Sequence, residues 1–235
     1  MSKKIPWTDY DVQSDYIFSD FLTSVDLKLN NLLIQSELDN WMTKQETSLV
    51  SNRGGWQSGK VEHRGDNIPE DQRDLWAKDC PNILKMYDYI VSFTQYHIIT
   101  RYGLPKEEGS DYWEGPIIKP EKTVWWANIN RNYDWNSIHN HARADVVGVY
   151  YPKCDKDSSM LTVMRNDGSC YSQLYTDLYV NDSNASLHHS VIKIKPEQGR
   201  LYIFPGHLWH YVEKRDRIVD DTKRMSFSFN FYIGE

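Results

Sequence analysis

His139-Asn140-His141 and, far downstream, His210 are the side chains in this sequence best suited to hold a metal. Two imidazoles two residues apart share a face if they lie on one strand, because strand side chains alternate with period 2. A third imidazole from a distant strand would complete a facial site with open positions opposite. That is the arrangement in which non-haem iron meets oxygen and substrate. Arg224 and Ser226 follow His210. A guanidinium binds a carboxylate through two parallel hydrogen bonds, a geometry lysine cannot copy. Ser226, pointing the same way, could add a third, so the pair could hold a small dicarboxylate beside the metal.

Each residue also has an ordinary explanation. A lone histidine is more often a core or surface residue than a ligand, and Lys223-Arg224 alone reads as a solvated strand end. His207 and His210 could simply close one end of a sandwich with the aromatic residues around them. His207 is a rival ligand, whereas His188 and His189 sit in an acidic, polar loop that suits solvent. Asp145 shares the parity of His141 but would lie about 13 Å along a strand, too far to substitute as a ligand. The set, more than any member, points to metal chemistry.

The elements that must position this set change character along the chain. The first half reads helical. Phe18–Leu22 is either a short opening strand or the apolar staple before a helix. From Asp26, the spacing of Leu27, Leu29, Leu32, Leu33, Leu38, Trp41 and Met42 predicts a helix capped by Ser24 or Asp26. A second helix is predicted from Pro81 through Ile98, stopped by Gly103 and Pro105. Past Pro120 the texture turns to short β segments. The strands read are Thr123–Asn130, His139–Tyr151, Ser159–Met164, Ser190–Lys195, Arg200–Phe204, Trp209–Val212 and Met225–Tyr232. The fold expected is mainly β with flanking helices, a sandwich or jelly roll. One domain over 1–235 is expected, with a helical part to about 120 and the β core from about 121.

Composition narrows the functional classes. The chain has 235 residues and a net charge of −6, so it carries no general basic field, which disfavours nucleic acid and anionic lipid as partners. No apolar run reaches the length of a membrane span, and Met1-Ser2-Lys3-Lys4 leads into polar sequence without a signal-peptide core. A soluble cytoplasmic protein is the expectation. Cys80, Cys154 and Cys170 are odd in number and far apart, which suits neither a disulfide framework nor a zinc knuckle. The Asn181 and Asn184 sequons read as chance matches in a polar loop.

Three stretches carry a resemblance to the 2-oxoglutarate- and Fe(II)-dependent oxygenase superfamily, and more narrowly to a group of 2OG-Fe(II) oxygenases found in bacteria and marine phages. They are Ser51-Asn52-Arg53-Gly54-Gly55-Trp56-Gln57-Ser58; Trp125–Asn130 through His139-Asn140-His141 and Gly148–Tyr151; and Gly199–Pro205 through His210 to Arg224–Asn230. The first looks like that group's N-terminal signature, and its residues alone suggest no chemistry. The resemblance implies a double-stranded β-helix, a cupin-like jelly roll, with N-terminal helices outside it. It implies His139, His141 and His210 as iron ligands, with His141 where most of the superfamily has an aspartate or glutamate. Arg224 would pair with the C5 carboxylate of 2-oxoglutarate, assisted by Ser226, with Asn128 or Asn130 also near the co-substrate. Trp126, Tyr151 and Trp209 are candidates for the wall of a dry substrate pocket.

The implied reaction consumes O2 and 2-oxoglutarate, releases succinate and CO2, and hydroxylates a substrate C–H. A small molecule or a protein side chain would serve as substrate, and the pairing common among such barrels leaves a homodimer open. Three neutral imidazoles leave Fe(II) with two positive charges where a carboxylate ligand would leave one. That favours an anionic co-substrate but makes the iron harder to oxidise, leaving open an inactive or differently reacting site. Two other classes remain: a three-histidine cupin-type dioxygenase indifferent to 2-oxoglutarate, and a non-enzymatic jelly-roll binding or structural module.

Overall fold

The alternation Arg224-Met225-Ser226-Phe227-Ser228-Phe229-Asn230-Phe231 demands a strand with one polar and one apolar face. The computed structural model describes residues 14–18, 22–48, 50–102, 104–105, 113–114, 117–164, 191–214 and 223–234. In chain order its elements are β1 (Ser14–Phe18), β2 (Leu22–Asp26), α1 (Asn31–Lys44), β3 (Asn52–Arg53), β4 (Trp56–Gln57), β5 (Val61–Glu62), α2 (Glu70–Asp79) and α3 (Pro81–Tyr102). Then come β6 (Leu104–Pro105), β7 (Trp113–Glu114), β8 (Ile117–Ile118), β9 (Val124–Asn130), β10 (Trp135–His139) and β11 (Val146–Lys153). The rest are β12 (Leu161–Met164), β13 (Val191–Ile194), β14 (Arg200–Pro205), β15 (Trp209–Val212), β16 (Arg224–Phe231) and β17 (Ile233–Gly234).

Two antiparallel sheets carry the site. The larger runs β1-β2-β14-β11-β16-β9-β4, with β5 also on β9; the smaller runs β13-β12-β15-β10-β3. Among the described residues both sheets are open, and they form the two-sheet jelly roll with flanking helices expected from the sequence. The register across β16 and β9 sets Arg224 opposite Asn130, Ser226 opposite Asn128 and Ser228 opposite Trp126. All six therefore share one face of the large sheet. On its other face Met225, Phe227, Phe229 and Phe231 pack with Trp125, Ala127 and Ile129 against apolar residues of α1 and α3, including Ile34, Leu38, Ile83 and Ile90. A second cluster joins the sheets to each other, through Val147, Val149, Tyr151, Tyr202 and Phe204 on one side and Leu161, Val163, Ile192, Ile194 and Val212 on the other.

The helices brace the large sheet. In α1, Ile34, Leu38 and Trp41 are buried, and Trp41 makes edge contacts with Trp56, Trp76 and Trp125 at 6.0 Å between ring centres. Glu37 accepts backbone N–H groups of Asn82 and Ile83 at 2.8–3.0 Å. Its carboxylate thus satisfies free donors at the start of α3, where a negative charge also suits the helix dipole.

Several sequence expectations need correction. The capping residue of the first helix is Asn30, whose side chain accepts from Leu33 N at 3.3 Å; Ser24 and Asp26 lie in strand β2. The first half is less helical than its pattern suggests, since β1 to β5 precede Pro69. Helix α2 was not anticipated, because none of its residues is buried and it carries no apolar stripe to detect. The strand expected over His139–Tyr151 is two strands. It breaks after His139, where residues 142–143 turn, and resumes at Val146. The remaining β segments lie within two residues of their expected ends. Cys170, His188, His189, Asn181 and Asn184 lie outside the described residues.

Candidate functional site

His139 closes β10 and His210 sits in β15, and the two are paired across the small sheet. His141 reaches them differently from the strand geometry expected. It lies past the end of β10, in a turn held by His141 N donating to Gly206 O at 2.8 Å and Gly206 N donating to Asp145 O at 3.0 Å. Ring centres are 4.4 Å apart for His139 and His210, 4.9 Å for His141 and His210, and 5.1 Å for His139 and His141. One nitrogen from each ring lies within 4.8 Å of the others, within reach of a single ion. Asp145 is no rival, since Oδ2 accepts from Ile233 N at 2.7 Å, and His207 is exposed.

Each ring is oriented by a carbonyl oxygen. His139 Nδ1 faces Ser137 O at 2.7 Å, and His210 Nδ1 faces Leu208 O at 3.0 Å. His141 Nδ1 faces Asn230 Oδ1. A carbonyl oxygen only accepts, so each Nδ1 carries the proton and each Nε2 keeps its lone pair for a metal. Burial holds the imidazoles neutral. It lowers His139 below its ordinary value, and it brings His141 to about 4 and His210 to about 3. Neutral imidazoles with free Nε2 atoms form a donor set that suits Fe(II).

The imidazoles line a small chamber of about 30 Å³ together with Arg224, Ser226, Asn128 and Tyr151. Arg224 is only 5% exposed. Nη1 donates to Asn130 Oδ1 at 3.1 Å and Nη2 to the Tyr151 hydroxyl at 2.9 Å, while Nε has no partner. Among the described residues no carboxylate pairs with this guanidinium. A buried cation without a counter-charge is costly, so the chamber suits an anion. Asn128 Oδ1 is also without a partner, although its Nδ2 donates to Ser228 Oγ at 3.3 Å. The donors lining the chamber thus suit a carboxylate beside a metal.

Of the pocket candidates, Trp126 lines the chamber and stacks on His141, with ring centres 5.5 Å apart. Tyr151 holds Arg224 and lies against it, the guanidinium carbon 4.8 Å from the ring centre. Trp209 does not reach the chamber. It is 40% exposed, because it neighbours His210 on β15 and alternation turns it to the opposite face. Sequence reasoning missed Asn230, Asn136 and Ser228. The last two line the chamber, and Asn230 shares the face of Arg224 and Ser226, a parity that could have found it.

The Ser51–Ser58 stretch now has a physical role. Its strand β3 pairs with β10 of the small sheet and its strand β4 with β9 of the large one, so it ties the sheets together beside the histidines. Gly54 has φ +94°, and a Cβ on Gly55 would meet Ile129 O at 2.5 Å, which explains the two glycines of the turn.

Residues 124–230 match the family described as "Putative 2OG-Fe(II) oxygenase". A comparison with curated proteins finds no match. Among solved structures, the chain is similar to a Pseudomonas putida prolyl-4-hydroxylase at 12% identity and TM-score 0.50, over 90% of this chain and 92% of that one. It is similar also to SnoK, a non-haem α-ketoglutarate-dependent carbocyclase from nogalamycin biosynthesis, at 6% identity and TM-score 0.53, over 89% of this chain and 78% of that one. At these identities the likeness speaks for the fold alone. The family match runs from β9 into β16 and spans all three histidines and Arg224, so this stretch of the chain carries the pattern of a family whose members use Fe(II), 2-oxoglutarate and O2.

Proposed function

We propose that the protein hydroxylates a substrate C–H, with His139, His141 and His210 holding the iron and Arg224 anchoring 2-oxoglutarate. The observation that carries this reading is the buried guanidinium, unpaired at Nε, in the same chamber as three neutral imidazoles. When bound, the iron supplies oxygen activation coupled to decarboxylation of 2-oxoglutarate to succinate and CO2. The chain's own residues position and exclude. Asn130 and Tyr151 each accept one guanidinium N–H, which fixes its plane and leaves Nε–H and the remaining N–H groups for a carboxylate. Ser226, buried on the same face, can donate its hydroxyl to that carboxylate. Tyr151 keeps its proton, since burial raises its pKa, so it does not answer the guanidinium with a charge of its own. Trp126, Val147, Val149 and Val212 give the chamber an apolar wall.

His141 in place of the superfamily's usual carboxylate favours one rival reading, a three-histidine dioxygenase that does not use 2-oxoglutarate. Succinate formation in air separates them. Iron-dependent succinate from 2-oxoglutarate, lost in His210→Ala, is the result expected. Iron binding without any 2-oxoglutarate binding would favour the rival. A soluble small molecule or protein side chain as substrate, and action as a homodimer, stay within this reading.

A further inference from the structure

The histidines stand between two spaces. The inner chamber is lined by Arg224; an outer cleft, about 310 Å³ and open to solvent, shares Ser51, Trp126, His139 and His141 with it. The charged residues lining this cleft are Lys60 and Arg143, with no aspartate or glutamate among the lining residues. Both are exposed, and neither takes part in the ion pairs among the described residues. In a chain of net charge −6, these two cations beside the histidine cluster are a local reversal of sign. Such a reversal concentrates anions in a cleft.

Gln57 makes this more than a basic patch. It lines the same cleft, is 4% exposed, and its Oε1 has no hydrogen-bond partner. Its backbone is fixed, N donating to Thr47 Oγ1 at 3.0 Å and O accepting from Ser48 N at 2.8 Å. A buried amide oxygen held on a strand with nothing to accept from is uncommon in a folded protein.

We propose that the outer cleft is the substrate site and takes a molecule bearing an anionic oxyacid group, a carboxylate or a phosphate. Lys60 and Arg143 hold the anion, and Gln57 Oε1 accepts a hydrogen bond from a hydroxyl or N–H of the same molecule. The inference rests on the oxygenase reading, with 2-oxoglutarate in the inner chamber and the substrate across the histidines from it.

Paramagnetic relaxation tests this without turnover. The full chain is loaded anaerobically with Mn(II) and 2-oxoglutarate, and inorganic phosphate (31P) and propionate (1H) are titrated as probes. Mn(II) is expected to relax one or both probes, the better one naming the anion, and the effect should fall about tenfold in a Lys60→Gln/Arg143→Gln variant. Relaxation equal in that variant, or absent for both probes in the unaltered protein, overturns the anion site. 3-Hydroxypropionate should be relaxed more strongly than propionate, and Gln57→Leu should erase the difference; a preference that persists overturns the part given to Gln57. Affinity for 2-oxoglutarate, measured separately on the unaltered protein and on Arg224→Gln, reports on the oxygenase assignment. If 2-oxoglutarate fails to bind at all, that assignment falls, while the probes with Mn(II) alone still read the cleft.

Discussion

Arg224 and the histidines are solved by opposite devices at the scale of single residues. The guanidinium is buried, and among the described residues no carboxylate answers its charge, whereas the imidazoles are buried so as to lose theirs. Replacing Arg224 by lysine keeps the charge but removes the fork. Affinity for 2-oxoglutarate should drop about 10- to 100-fold, the worth of one or two charge-assisted hydrogen bonds, with Mn(II) affinity changed by less than threefold in calorimetric titrations. Asn230→Leu takes the acceptor from His141 Nδ1. Metal affinity should fall about 10- to 100-fold, as for other partners of ligating histidines, while 2-oxoglutarate binding to whatever metal-loaded protein remains is spared. The lowered histidine values also set a pH dependence for the metal-free protein. Between pH 6.5 and about 4 the unfolded chain takes up protons that folded His141 and His210 refuse. Stability therefore falls as pH falls, by at most about 1.4 kcal/mol per pH unit for each ring. Urea midpoints in EDTA should decline over that window, and more shallowly in His210→Phe; identical slopes would mean that the His210 ring is solvated.

At the scale of elements, the turn after β10 decides whether His141 joins the other rings. Gly206 packs directly on it, and a Cβ there would meet Ala144 O at 2.0 Å and His141 O at 2.9 Å. Both are backbone atoms, so the turn itself must move. Gly206→Ala is expected to lower metal affinity at least tenfold and to reduce stability by about 1–3 kcal/mol, the usual cost of overpacking. Metal titration against thermal melting separates the two effects. Gly148→Ala is the comparison: its added Cβ meets side-chain atoms of Phe231 at 3.1 Å and Leu201 at 3.5 Å, away from the histidines, and should cost stability with metal affinity intact. Strands β9 and β16 contribute through register alone. A slip of one residue would turn Arg224, Ser226 and Ser228 out of the chamber and Met225, Phe227 and Phe229 into it.

For the whole molecule, the site is a seam. His139 and His210 come from the small sheet, Arg224, Ser226 and Tyr151 from the large one, and Ser51–Ser58 clasps the two. Ligands that bridge the seam should therefore stabilise the fold as a whole. With Mn(II) at about 100 times its dissociation constant the gain is about 2.7 kcal/mol. Adding 2-oxoglutarate should raise Tm further. His210→Ala should remove the metal increment, and Arg224→Lys only the second one. A melting temperature indifferent to both ligands would argue that the rings do not converge on one ion.

The sequence by itself determined the β plan after Pro120 and the chemistry of the polar face. Period-2 alternation is local, so Arg224 and Ser226 could be assigned one side of a strand from spacing alone. Residue types also carried the metal reading, since imidazoles and a guanidinium have few other uses as a set. What spacing could not supply was the path of the chain between elements. His139 and His141 read as one strand face because nothing local marks the break after His139. Only the contact with Gly206, 65 residues downstream (206 − 141), bends His141 back to the cluster. Trp209 looked like a pocket wall for the same reason, its aromatic character being visible and its facing not. The two-glycine signature was chemically silent until β3 and β4 were seen to join different sheets. Tertiary structure decided these points because they depend on contacts between residues far apart in the chain, which have no local pattern to read.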